Sequence, residues 1–231
     1  MWMRQQWRGR WKEEENPDRN KGGEVGMAKK SNKKIIDSLI KIIAYQANRD
    51  WDNFKKEVVA YLTNKHNSVF LEEALLMSYL FLGFPAMMTA FDILRESDKN
   101  RSHFKTDREK NWLIWHSRGL QLFKIIYDKN AKKLYNKVKN MHPEVANWML
   151  TEGYGKVLCR NVLNIQSREL LIIAILIITS WEKQLHSHLR GAFNVGVTSE
   201  EIENLIRIVQ SISIDPQKIE IAITKWHEVY K

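Results

Sequence analysis

The sequence is poor in cysteine, proline and glycine. Cys159 is the single cysteine in 231 residues, so an intrachain disulfide and a Cys-x-x-Cys redox or zinc motif are excluded. Only 4 prolines and 10 glycines interrupt the chain. Long stretches without such breakers favour helices over many short strands. No His-Glu-x-x-His or similar pairing is present, and we predict neither a metal nor another cofactor.

Long apolar runs are also scarce. The longest uninterrupted run that we identify, Leu170–Ile178, is nine residues long, whereas a helix needs about 20 residues to span a bilayer. We therefore expect a buried core helix at this place and no membrane partner. The N-terminus lacks the uninterrupted apolar segment of a signal peptide. Together with the single cysteine, this predicts a cytoplasmic protein.

Charge is unevenly spread along the chain. The formal net charge is +10, and residues 98–140 hold twelve Lys and Arg against four Asp and Glu. Such a block can meet an anionic substrate, a nucleic acid or a membrane surface, and it can also be a solvated helical face. Because no RNA-binding, zinc-finger or glycine-rich phosphate motif accompanies it, we predict no nucleic-acid partner.

Composition and apolar spacing divide the chain into four parts. Residues 1–33 mix tryptophan, arginine and glutamate without helical periodicity, which predicts a disordered extension; a short basic docking helix is the alternative. Residues 34–97 form an N-terminal helical half, 98–111 a basic linker and 112–231 the main domain. Since no convincing strand is present, the predicted fold class is all-α.

Helix-end signals are clear at several positions. In the N-terminal half, Gly83 fits the end of one helix, and Pro85 fits the first turn of the next. Ser167 and Ser180 are predicted N-caps of two helices in the main domain. The predicted order is thus a long buried helix followed by a more polar one.

Further signals follow in the last third of the chain. Gly196 fits a left-handed residue at a helix C-terminus. Thr198 and Glu201 have the spacing of a capping box. Asp215 and Pro216 are predicted as N-cap and first residue of the last helix.

The two halves of the chain share a faint similarity. Glutamates 72–73 precede an apolar helix, a break and Pro85, and glutamates 200–201 precede an apolar helix, a break and Pro216. The glutamate-to-proline distances, 12 and 15 residues, do not match. Two degenerate copies of one unit and a chance similarity both explain this pattern.

One helix face joins a histidine to apolar residues. The face has positions at offsets 0, 3, 4, 7, 11 and 14, occupied by Trp181, Gln184, Leu185, His188, Ala192 and Val195. A buried imidazole between an amide and an indole suits a general acid or base near neutral pH. A hydrogen-bonded core histidine is the alternative. Glu169, taken alone, is a first-turn charge at a helix N-terminus.

A longer pattern covers about half of the chain. It comprises residues 142–144, 153–160 and 168–170, and a run from Gln184 to Ile202 that reads Gln-Leu-x-x-His-x-Arg-Gly-Ala-x-Asn-x-Gly-Val-Thr-x-Glu-Glu-Ile. This pattern resembles the carboxymuconolactone decarboxylase family. Arg118-Gly119 followed by Tyr127 is similar to the start of the family's domain, and residues 68–97 are similar to its end.

The resemblance implies an alkyl hydroperoxidase D-like helical bundle that assembles into trimers or hexamers. Apolar residues near Ile172, Ile173 and Leu176 would then pack between subunits. The family's peroxidase branch uses a Glu, a pair of cysteines and a His. Trp181 and Gln184 stand where the two cysteines would be, so the resemblance implies that this thiol chemistry is lost.

The family's decarboxylase branch also lacks the cysteines. The resemblance to it implies removal of CO₂ from a small anionic lactone or keto acid. In that reaction His188 would deliver a proton and Glu169 would fix its tautomer, as the two catalytic residues. The substrate-binding residues implied are Trp181, Gln184, Arg160, Arg168 and Arg190.

Two other functions stay open. A family member with changed or lost activity would act as a binding or interaction protein. A peroxidase-related antioxidant role is less favoured, because Cys159 alone cannot supply a nucleophilic and a resolving thiol.

Overall fold

A computed structural model describes residues 22–98, 106–107, 109–213 and 215–230, with the backbone alone for residues 22–31. Regular structure in these ranges is helical, so the predicted all-α class is confirmed. The α-helices are α1 (Gly22–Ala47), α2 (Trp51–Thr63), α3 (Ser68–Ser97), α4 (Trp112–Tyr127), α5 (Ala131–Met141), α6 (Pro143–Trp148), α7 (Ile165–Ile178), α8 (Glu182–Asn194), α9 (Ser199–Gln210) and α10 (Pro216–Tyr230). A 3₁₀ turn covers Asp128–Asn130, and a π-helix covers Met149–Leu158.

The helix bounds bear on the predicted division of the chain. Helix α1 begins at Gly22, so the predicted boundary at residue 33 lies within a helix. The remainder of the predicted extension, residues 1–21, lies outside the described residues. The predicted linker occupies the interval between α3 and α4, of which residues 99–105 and 108 also lie outside them. Residues 37–231 form one compact unit.

Helix α3 is broken at Gly83. Its φ of 79° and ψ of 167° belong to a backbone region that glycine adopts without a Cβ clash. Pro85 follows in the first turn after the break, where its missing N–H removes no helical hydrogen bond. Asn67 caps the other end by accepting a hydrogen bond from the Val69 N–H. The predictions for Gly83 and Pro85 are confirmed.

Helix α3 is also the most apolar long helix of the described residues. Among them it alone has the length and mean hydropathy, 1.7, of a membrane-spanning helix, and 28% of that stretch is buried. The sequence prediction overlooked it because Gly83 and a few polar residues interrupt the run. Glu72 and Glu73 are buried within α3, and the helix packs against α7. Because buried carboxylates are costly in a bilayer, we treat α3 as a core helix.

Two glycines let α4 and the π-helix cross at close range. A Cβ on Gly119 would lie 1.8 Å from the Leu150 carbonyl oxygen. A Cβ on Gly155 would lie 1.8 Å from the Trp115 carbonyl oxygen. A side chain at either position would therefore force the two backbones apart. This contact fixes the π-helix against α4.

Helix α7 lies at the centre of the core. Every residue of α7 except Gln166 is buried, and the helix packs against α3, α8, α9 and α10. Ile172, Ile173 and Leu176 are already covered within one chain, which corrects the expectation that they pack between subunits. Asn164 caps α7 by accepting the Ser167 N–H, so the predicted Ser167 cap is wrong by three residues.

The ends of α8, α9 and α10 follow the sequence signals with one exception. Ser180 was predicted as an N-cap, but it has a φ of 60°, and Trp181 takes the cap position of α8. Gly196 has the predicted left-handed conformation, with a φ of 92°. The Thr198–Glu201 capping box is formed, and Asp215 precedes Pro216 at the start of α10. These latter predictions are confirmed.

Candidate functional site

A buried carboxylate–imidazole pair connects α7 and α8. The Nδ1 atom of His188 lies 2.9 Å from the Oε2 atom of Glu169. Glu169 is fully buried, and 7% of His188 is exposed. Because the carboxylate holds Nδ1, the hydrogen bond fixes the imidazole tautomer and leaves Nε2 for proton exchange. The structure thus brings together the two residues that the sequence placed in the catalytic centre.

Gly191 makes room for this pair. A Cβ at Gly191 would lie 2.7 Å from Cγ2 of Ile126 and 3.4 Å from Oε2 of Glu169. Nearby, the Asn194 side chain donates a hydrogen bond of 2.8 Å to the Ile126 carbonyl oxygen. The absence of a side chain at Gly191 therefore lets α8 lie close to α4 and to the Glu169 carboxylate at once.

Aromatic side chains surround His188. The ring centroids of Phe81 and Tyr127 lie 5.8 Å and 6.4 Å from that of His188, and the ring planes are inclined to the imidazole plane by 77° and 70°. The hydroxyls of Tyr127 and Tyr154 are hydrogen-bonded at 2.8 Å, and Phe123 packs against both tyrosine rings. The surroundings of the pair are therefore built by α3, α4 and the π-helix.

The two tyrosines stay protonated at neutral pH. Burial raises the pKa of Tyr127 above its ordinary value, and the negative charge of Glu169 raises it further. Burial likewise raises the pKa of Tyr154, with Tyr127 and Glu169 adding to the effect. In their mutual bond one phenol donates and the other accepts, so the accepting phenol keeps an O–H to donate elsewhere.

One oxygen of Glu169 lacks a hydrogen-bond partner. Its Oε1 atom is buried and accepts no hydrogen bond from any residue that the structure describes. Buried polar atoms in folded proteins are nearly always satisfied, so each exception needs an explanation. Oε1 is therefore the unsatisfied acceptor of the Glu169–His188 pair.

Arg160 and Arg168 form a second buried cluster with Glu73. Nε of Arg160 lies 2.8 Å and 3.0 Å from the two Glu73 carboxylate oxygens, and Nη2 of Arg160 lies 2.6 Å from Oε1. Nη2 of Arg168 lies 3.0 Å from Oε2 of the same carboxylate. The fully buried Arg168 also donates to the carbonyl oxygens of Arg160 and Leu163.

This cluster corrects the sequence-based assignment of the two arginines to substrate binding. Their guanidinium donors are directed at Glu73 and at backbone carbonyls of the segment before α7. Hydrogen bonding to Glu73 raises the pKa of Arg160, whereas burial lowers that of Arg168 and Glu73 offsets part of that effect. Arg160 and Arg168 thus tie α3 to the start of α7. They thereby hold Glu169, which directly follows Arg168, in place.

The remaining predicted substrate-binding residues lie nearer the surface. Trp181 is 58% exposed and Gln184 is exposed, because only from Leu185 onward is the predicted face of α8 covered. Arg190 is half-buried. Within the described ranges, no three His, Cys, Asp or Glu side chains converge on a point where a metal ion would bind.

Three contributors to the site were not predicted from the sequence. Tyr127 and Tyr154 were parts of the family pattern, but no spacing rule joins residues that are 27 positions apart. Phe81 comes from the N-terminal half, and no sequence signal linked it to the site. The glycine pair Gly119 and Gly155 was the available signal, since glycines on two helices mark a close crossing.

Comparisons with known proteins agree with the pattern in the sequence. Residues 143–221 match the model of the carboxymuconolactone decarboxylase family. Peroxisomal protein 2 of Saccharomyces cerevisiae is 32% identical over 111 residues, which cover 48% of this chain and 38% of that protein. The chain thus spans little more than a third of that relative.

In two further relatives, the matched segment covers more of the relative's own length. Peroxisomal protein 2 of Schizosaccharomyces pombe is 28% identical over 183 residues, which cover 76% of this chain and 84% of that protein. The 4-carboxymuconolactone decarboxylase of Acinetobacter baylyi is 28% identical over 92 residues, which cover 39% of this chain and 69% of that protein.

Proposed function

We propose that this chain, whose residues 143–221 match the model of the carboxymuconolactone decarboxylase family, transfers a proton during the processing of a small anionic lactone or keto acid. The buried 2.9 Å contact between Glu169 and His188 carries this proposal. A fixed imidazole beside a carboxylate is a common general acid or base.

In the proposed reaction, the bond between the substrate carbon and its carboxylate breaks, and CO₂ leaves. The electron pair stays on the substrate as an enolate. Protonated His188 then donates the proton on Nε2 to that carbon, while Glu169 stabilises the imidazolium and holds its orientation. A neutral phenol of the Tyr127–Tyr154 pair is suited to donate a hydrogen bond to the enolate oxygen.

The proposal is tested with 4-carboxymuconolactone, the compound in the name of the A. baylyi relative, and with simple β-keto acids. CO₂ release is measured for the full chain and for His188→Ala and Glu169→Gln. We expect His188→Ala to lower kcat about 10²- to 10⁴-fold, the usual contribution of a general acid. His186→Ala on the exposed side of α8 is the control. Equal turnover by His188→Ala and wild type would remove the catalytic assignment.

A binding function is the second candidate. The half-exposed Trp181 and the exposed Gln184 favour it, because in this chain they form a surface where the family's peroxidase branch has reactive thiols. If the chain binds 4-carboxymuconolactone in calorimetry without consuming it, and Trp181→Ala abolishes that binding, the surface at Trp181 recognises such compounds without turning them over. Consumption of the compound by the wild type decides for catalysis.

Self-association belongs to the same proposal. Phe84 and Met88 on α3 are each 60% exposed, and exposed apolar side chains of this size are typical of subunit contacts. We expect a trimer or hexamer in sedimentation equilibrium, and dissociation when Met88→Glu is introduced. A wild-type chain that remains monomeric at high concentration would contradict it.

The cellular location is proposed from the relatives. Two of them are named peroxisomal proteins, so we propose a peroxisomal location in place of the cytoplasmic one that composition suggested. Fluorescence microscopy of the chain, tagged in turn at each end, tests this. Diffuse fluorescence from both fusions would restore the cytoplasmic expectation.

A further inference from the structure

Helix ends in two parts of the chain recur at a constant spacing. Arg49 and Ser180, which follow α1 and α7, have positive φ values of 57° and 60°. Lys65 and Gly196, which follow α2 and α8, have φ values of 55° and 92°. Each pair is separated by 131 residues. Many helices end in a left-handed residue, but that residue is usually glycine, and here three of the four are not.

The backbone hydrogen bonds at these helix ends recur at the same spacing. Four backbone bonds in the first part have counterparts 131 residues later. Written from the N–H donor to the carbonyl acceptor, the matched bonds are Asn48 to Ala44 with Thr179 to Ile175; Arg49 to Gln46 with Ser180 to Ile177; Asp50 to Tyr45 with Trp181 to Leu176; and His66 to Tyr61 with Val197 to Ala192. The spacing therefore relates whole connections and not single residues.

The next helices follow the same rule. Asn67 and Thr198, again 131 apart, are the N-caps of α3 and α9. Pro85 and Pro216, also 131 apart, lie in the first turns that follow Gly83 and Asp215. The match seen in the sequence was thus in the wrong register, because it aligned glutamate pairs 72–73 and 200–201.

Contacts between the two parts are reciprocal. Arg168 of α7 bonds Glu73 of α3 at 3.0 Å, and Asn204 of α9 bonds Asp37 of α1 at 2.7 Å. At the spacing of 131, Arg168 corresponds to Asp37 and Asn204 to Glu73. Each first helix therefore contacts the other part's third helix at equivalent positions, as in a two-fold symmetric interface.

We propose that residues 37–97 and 168–228 are two copies of one three-helix unit, and that the first copy is a built-in partner with a silenced site. Glu169 and His188 of the second copy correspond to Ser38 and Glu57 of the first. Glu57 reaches α1 as His188 reaches α7, but it pairs there with Lys41 at 4.0 Å.

The first copy still contributes to the surviving site. Its third helix supplies Phe81, which lies against His188, and Glu73, which holds the arginines before α7. This inference concerns the architecture of the site and does not require the proposed reaction.

Restoring the silenced site in the full chain tests the proposal. The variant Ser38→Glu, Lys41→Ile, Glu57→His introduces the residues found at 169, 172 and 188. The reference variant carries Lys41→Ile and Glu57→His with Ser38 kept. The imidazole introduced at position 57 is titrated by NMR. We expect Ser38→Glu to raise its pKa by about 1–3 units, because a carboxylate at hydrogen-bond distance favours the charged imidazole. An unchanged titration midpoint would overturn the proposal.

A second measurement does not depend on the restored site. Two variants, each with two spin labels in a Cys159→Ser background, are compared by pulsed electron paramagnetic resonance, which measures the distance between the two labels. One variant carries Asp52→Cys and Glu220→Cys, and the other carries Lys183→Cys and Thr89→Cys. All four positions are exposed. Two-fold related copies predict superimposable distance distributions for the two pairs. Distributions that do not overlap would refute the reciprocal arrangement, whatever the first experiment gives.

Discussion

Two buried charged clusters meet at the start of α7, one through Arg168 and the other through the next residue, Glu169, and they differ in how completely their atoms are paired. Around Glu73, two guanidinium groups occupy both carboxylate oxygens, and Arg168 also bonds backbone carbonyls. Around Glu169, His188 occupies one oxygen, and the other has no partner in the described part of the chain. A saturated cluster holds a fold together, whereas an unsaturated one can bind something else.

The comparison also separates residue type from role. Arginines beside a carboxylate are good anion binders, and the sequence suggested that role for Arg160 and Arg168. Their partner is instead a carboxylate of the protein itself. His188 has one ring nitrogen engaged by Glu169, which leaves Nε2 for the proton transfer proposed above.

The largest predicted effect is on the saturated cluster. Glu73→Gln leaves two positively charged groups buried without their carboxylate, which typically costs about 3–5 kcal/mol. We expect the free energy of unfolding in urea to fall by that amount. Glu96→Gln removes the partner of Lys55 in an exposed pair and serves as the control, with an expected change below about 1 kcal/mol. Equal losses in both variants would mean that the Glu73 cluster is not a structural anchor.

A smaller effect is predicted at the crossing of α4 with the π-helix, which shapes the unsaturated site. Gly119→Ala places a methyl group against the Leu150 carbonyl, and overpacking of this kind costs about 1–3 kcal/mol. Gly153→Ala is the matched control, since a Cβ at that position meets nothing within 4 Å. Thermal unfolding of the two variants measures the difference. A stable Gly119→Ala protein would show that the close crossing is not required.

The effect that is smallest near neutral pH concerns the phenols beside Glu169, and it grows only at alkaline pH. Their pKa values are raised in the folded chain, so above about pH 10 the unfolded chain loses these protons first. Stability then falls as pH rises, by up to about 1.4 kcal/mol per pH unit for each tyrosine. Urea midpoints between pH 8 and 11 should fall less steeply for Tyr127→Phe with Tyr154→Phe than for wild type. Parallel curves would place the phenols in contact with solvent.

Much of the fold and the central pair could be predicted from the sequence, because both rest on local signals. Each helix end is determined by a capping residue or a glycine that lies within a few residues of it, as at Gly196 and Thr198. Glu169 and His188 were found through a family pattern within one stretch. Neither required knowledge of distant contacts.

The rest depends on contacts between residues far apart in the chain. Glu73 meets Arg160 and Arg168 across 87 and 95 positions, and no periodicity predicts such a pairing. Burial was also misjudged at the first turn of α8, where helical spacing is right but no neighbouring element covers Trp181. Spacing indicates which side chains share a face, whereas tertiary packing decides how far that face is covered.

The π-helix from Met149 to Leu158 makes this stretch unusually sensitive to changes in length. Each of its turns holds more residues than an α-helical turn, so removing one residue would let it relax toward α-helical geometry. Because an α-helix turns by about 100° per residue and a π-helix by less, the side chains beyond the deletion would change their angular positions around the helix axis. Tyr154 would turn away from Tyr127, and the flat glycine surface at Gly155 would no longer face α4. Insertions and deletions here should therefore be tolerated far less than substitutions.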